Sequence, residues 1–76
     1  MSQMEQFLSE MAEILEVSVD SIDLGTRFRE IPGWGSMAGF AILITMEENY
    51  GVKIPVPEFL KMNTLGEIFA KANTRS

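Results

Sequence analysis

Among the hydroxyls of this chain, Ser36 has the setting that most suggests chemistry. It ends the run Gly33-Trp34-Gly35-Ser36-Met37 and opens the most apolar stretch of the protein, Met37 to Met46. A serine there has two uses. It caps the new helix, its oxygen accepting a hydrogen bond from one of the first free backbone N–H groups, or it carries a phosphate ester that those N–H groups and the helix dipole favour. Other chemistry is scarce. The chain has no His and no Cys, so a Ser-His or Cys-His nucleophilic pair is excluded and no metal site is expected. The carboxylates Asp20, Asp23, Glu47 and Glu48 remain as acid–base candidates, but solvated surface charge accounts for them more simply. The expectation is a protein that is not an enzyme.

The elements that must position Ser36 fit in one domain, residues 1–76, with a small core. A hydrophobic content of 46% and a charged content of 22% are globular proportions. Without Cys no disulfide staples the fold. Eleven acidic residues against six basic give a net charge of −5. That sign disfavours a nucleic-acid partner and suits either docking on basic protein surfaces or plain solubility. The start Met1-Ser2-Gln3-Met4-Glu5 lacks the features of a signal peptide. No apolar run approaches the length of a membrane span. A monomer in the cytoplasm is expected.

Met4, Phe7, Leu8, Met11, Ile14 and Leu15 recur at helical spacing, and Ser2 with Glu5 makes a capping-box pattern. Glu10, Glu13 and Glu16 fall on the other faces and read as solvated surface. From Val17 to Gly35 the period is lost, yet Val19, Ile22, Leu24, Phe28, Ile31 and Trp34 punctuate a long loop as anchors. A second helix is predicted from about Ser36 to Tyr50, stopped by Gly51. Eight of the ten residues from Met37 to Met46 are hydrophobic. Ile42, Leu43, Met46 and Tyr50 share one side with Gly39, and Met37, Phe40, Ala41 and Ile44 share the other. A chain this short lacks material to bury both sides. The second side is therefore either a partner surface rimmed by Glu47 and Glu48 or covered by the long loop. Val52 to Pro57 reads as an extended connector, with Pro57 first in a short helix through Lys61. A last helix begins at Thr64, with Glu67 completing a second capping box and Leu65, Ile68, Phe69 and Ala72 as its stripe. The tail from Asn73 to Ser76 is expected to fray. The predicted class is all-α: a small bundle of three main helices plus one short helix, with a long loop between the first two main helices.

Across nearly its whole length the chain resembles the acyl carrier proteins. The resemblance runs through Leu15-Glu16-Val17, Thr26-Arg27-Phe28, Gly33-Trp34-Gly35-Ser36-Met37, Glu47-Glu48-Asn49-Tyr50-Gly51, Ile54-Pro55, Phe59 and Thr64-Leu65. It implies that Ser36 bears a covalent 4′-phosphopantetheine, installed by a phosphopantetheinyl transferase from coenzyme A, whose thiol carries an acyl group between partner enzymes. An aminoacyl or peptidyl carrier shares the same features. An unmodified helical interaction module, with Ser36 acting purely as a cap, is the reading from a different class. Two departures stand out. Gly35 replaces the Asp that the family usually places before the serine, and Ala38, Gly39 and Ala41 stand where housekeeping fatty-acid carriers place acidic residues. Partner binding is then expected through Met37, Phe40, Ala41 and Ile44, with Glu47 and Glu48 at the end, in a specialised pathway.

Overall fold

The computed structural model describes residues 2–74. Four α-helices follow one another: α1 (Gln3–Leu15), α2 (Ser36–Tyr50), α3 (Val56–Phe59) and α4 (Leu65–Thr74). The long connection between α1 and α2 holds two 3-10 turns, Val19–Ser21 and Phe28–Glu30. The all-α bundle read from the sequence is the fold observed.

Helix α1 starts at a complete capping box. The Ser2 oxygen accepts from the Glu5 N–H, and the Glu5 carboxylate accepts from the Ser2 N–H, both at 3.1 Å. It ends at Glu16 in left-handed geometry, φ 60°, where the chain turns away. Phe7, Met11 and Leu15 are fully buried. Met4, expected on the same face, lies outside the buried core and is 42% exposed.

Helix α2 supplies Ile42 and Met46 to the core and α4 supplies Leu65 and Ile68, all fully buried. Each such side chain contributes roughly 1.5–3 kcal/mol by leaving water. Gly51, at φ 67°, ends α2 in the left-handed region that glycine adopts without strain. Val52 and Ile54 then point inward from the connector. The short helix begins one residue earlier than expected. Pro55 is its N-cap, so Val56 takes the first position and Pro57 the second, where a missing N–H still breaks no helical bond. At α4 the Glu67 N–H donates to the Thr64 hydroxyl oxygen at 3.3 Å, but the Glu67 carboxylate accepts from the Asn63 N–H at 3.1 Å. The second capping box is thus offset by one residue. Asn73 and Thr74 complete α4, while Met1, Arg75 and Ser76 lie outside the described residues.

The long connection is held at several points. Phe28 is fully buried, Ile22 is buried, and Leu24, Ile31 and Trp34 pack against the core. Val19, at 43% exposure, does not anchor. The carbonyls of Thr26 and Leu24 accept from the N–H groups of Leu65 and Gly66 at 3.0 and 2.7 Å. The loop thereby satisfies the start of α4 instead of covering the outer side of α2.

Candidate functional site

Ser36 is exposed and takes the first position of α2, not the capping position. The N-cap is Gly35, with φ −176° and ψ 178°, and no side chain caps the helix. The expected Ser36 cap is therefore corrected. A side chain inside the first turn cannot fold back onto the N–H groups ahead of it in the way an N-cap does. The hydroxyl is left to face solvent beside first-turn N–H groups that lack a side-chain acceptor. Gly35 is extended, a conformation open to any residue, and a Cβ built there meets nothing within 4 Å.

The run before Ser36 is fixed by close approach. A Cβ at Gly33 would lie 2.3 Å from the Leu15 carbonyl oxygen, so only glycine lets the loop press on the end of α1. Trp34 then turns inward, half-buried, with its ring 5.1 Å from Phe28 and 6.3 Å from Phe59. Its packing role is as the sequence suggests.

Along α2 the outer side stays open. Met37, Phe40 and Ile44 are 82%, 63% and 40% exposed, Ala41 is half-buried, and Glu47 and Glu48 are exposed. Spacings of three and four residues place Met37, Phe40, Ile44, Glu47 and Glu48 in one line. Of the two readings of this side, coverage by the loop is not what the chain does.

Between α2 and α3 an open groove of about 270 Å³ begins at Ser36 itself. Trp34, Ser36, Gly39, Phe40, Leu43, Val56, Phe59 and Leu60 line it. The sequence reading places none of Leu43, Val56, Phe59 or Leu60 at the site. Their only signal is the 56/59/60 spacing in the short helix, which says nothing of what it faces. Arg29 was missed as well. Its guanidinium donates to the carbonyl oxygens of Phe59, at 2.9 Å, and Met62, and lies over the Phe28 and Phe59 rings. These contacts hold the end of α3 through charge-assisted bonds and cation–π attraction.

The far end of α2 is polar. Glu10 accepts from the Asn49 amide at 2.9 Å and from the Tyr50 hydroxyl at 2.8 Å, so it is not the solvated surface residue expected. Burial first, then the hydrogen bond to Glu10 and its charge, raise the Tyr50 hydroxyl above the ordinary tyrosine range. Asp23 is occupied in its own turn, accepting from the Gly25 N–H at 2.8 Å. Asp20 lines a second, wide hollow of about 430 Å³ with Glu5, Leu8, Ser9 and Val19, formed by α1 and the first 3-10 turn. Among the described residues no group of three acidic, His or Cys side chains is placed to hold a metal ion. None of the described helices is long and apolar enough to cross a membrane.

The model of the phosphopantetheine attachment site family matches residues 5–70 of the chain. Comparison with individual curated proteins gives no match.

Proposed function

The chain belongs to the phosphopantetheine attachment site family, and from that premise we propose that Ser36 carries the 4′-phosphopantetheine arm and that its cargo is an acyl thioester. A member of this family is a carrier and not a catalyst. The observation that supports Ser36 is its exposure at the first position of α2, beside a first turn that no side chain caps. A phosphodiester on that oxygen meets free N–H groups and the positive end of the helix dipole. In loading, Ser36 Oγ attacks the pantetheine-side phosphorus of coenzyme A. The Oγ–P bond forms, the pyrophosphate bond breaks to release the nucleotide, and the hydroxyl proton passes to the transferase. The arm supplies the thiol that a chain without Cys lacks.

The docking contacts in this reading are Met37, Phe40, Ala41 and Ile44, with Glu47 and Glu48 as the acidic end of the strip. Its apolar character supports a dedicated partner in a specialised biosynthetic pathway, gripping mainly by apolar contact. An acyl cargo is preferred over an aminoacyl or peptidyl one because the groove at Ser36 has apolar walls.

Incubation with coenzyme A, magnesium and several phosphopantetheinyl transferases, read by intact mass, tests the assignment. A gain of one phosphopantetheine is expected, lost completely in Ser36→Ala. No gain with any transferase, in either the chain or Gly35→Asp, would leave an unmodified interaction module in its place. For the docking strip, transferase affinity is expected to change little between low and high salt. A steep loss would point to an acid-dominated contact.

A further inference from the structure

The groove beside Ser36 has a floor of aromatic rings. Trp34 and Phe59 line it, and the fully buried Phe28 lies behind them, stacked on Phe59 at 5.7 Å and tilted against Trp34 at 5.1 Å. Gly39 makes room for this layer. A Cβ there would lie 3.1 Å from Trp34 Cη2 and 3.4 Å from Phe59 Cε2.

We propose that Trp34 limits the length of acyl chain this carrier shelters. The inference rests on the reading of Ser36 as attachment residue. The indole stands between the groove and the buried Phe28, so a hydrocarbon tethered through Ser36 lies along the surface between α2 and α3 and does not pass into the core. The run from Ser36 to Leu43 is roughly 10 Å at about 1.5 Å per residue. Phe40, Leu43, Val56 and Leu60 present no polar side-chain atom to pair with an amide or amine, so the occupant is hydrocarbon. A ring system as large and rigid as indole, wedged against two others, gives a fixed stop in a close-packed interior.

Acetyl, hexanoyl and dodecanoyl groups would be loaded from the matching acyl-coenzyme A onto the chain and onto Trp34→Ala. Intact mass confirms loading before melting temperatures are read. In the unsubstituted chain the melting temperature is expected to rise from acetyl to hexanoyl and then level off. In Trp34→Ala the dodecanoyl form is expected to gain several degrees more. A continued rise in the unsubstituted chain, or the same plateau in the variant, overturns the proposal. Trp34→Leu makes the same comparison should the alanine variant not fold. Absence of any mass gain would sink the tether reading alone. Free butanol, hexanol and decanol then probe the groove by the stabilisation that binding confers. Levelling at hexanol only where Trp34 is present upholds the stop, and parallel series in the two proteins overturn it.

Discussion

Helix α1 closes its first turn with the reciprocal Ser2–Glu5 box and turns Phe7, Met11 and Leu15 to the core. Helix α2 starts on Gly35 with no side-chain cap and leaves Met37 and Phe40 mostly in water. One helix has its first turn capped and most of its apolar face buried inside the domain. The other lacks both at the same end, around one exposed serine. First-turn N–H groups left to water and uncovered apolar surface add no stability to an isolated domain. Their coincidence at Ser36 is what a site for a phosphodiester and a partner surface would leave behind. Toward its own C-terminus α2 resembles α1 again, with Tyr50 and Asn49 tied to Glu10 and a left-handed Gly51.

The sharpest way to break this contrast is to truncate one phenylalanine from each helix. Phe7→Ala on α1 is expected to cost about 3–5 kcal/mol, enough to unfold a domain this small. Phe40→Ala on α2 should stay within about 0.5 kcal/mol, both read by urea denaturation. Similar losses would mean that the outer side of α2 is packed after all.

Tyr50→Phe, at the seam where the two helices agree, should cost about 1 kcal/mol for the lost hydrogen bond to Glu10. The same variant has a pH signature. The folded state holds the Tyr50 proton more tightly than the unfolded state, whose tyrosine ionises near pH 10. Above about pH 10 the unfolded chain therefore binds fewer protons, and stability falls as pH rises. Melting temperatures of the unsubstituted chain should drop from pH 9 to 11 more steeply than those of Tyr50→Phe, and equal slopes would deny the coupling.

The caps sharpen the contrast at lower energy. Ser2→Ala should lose about 1 kcal/mol with its capping bond, whereas Ser36→Ala should lose less than about 0.5 kcal/mol, measured by thermal unfolding. The smallest stability change is expected for Gly35→Asp. Its side chain enters open space at the N-cap position, and Asp exceeds Gly there by only a few tenths of a kcal/mol. Its transferase labelling rate should nonetheless increase clearly. An unchanged rate would show that the missing carboxylate is not what transferase recognition lacks.

Much of this was legible in the chain itself. The period of α1, the box at Ser2, the stop at Gly51 and the solitary position of Ser36 all depend on neighbours within a few residues. What was missed at Glu10 and Arg29 has one cause. Glu10 is claimed by Asn49 and Tyr50, and Arg29 by Phe59 and Met62, partners 30 to 40 residues away. Met4 keeps the helical period yet stays outside the buried core. The Ser36 cap failed for a local reason, since a one-residue shift of the helix start moves the cap to Gly35.

Sequence alone determined the helix count, the apolar segment behind Gly35-Ser36 and the absence of any His or Cys. Those are properties of local spacing and residue type, which no tertiary contact can change. Tertiary structure decided which side of α2 stays in water, that α3 stands opposite it as the second wall of the groove, and that Trp34 and Phe59 form the floor. These outcomes belong to packing between distant segments, where a helix apolar on every side has no preferred face until its neighbours take one.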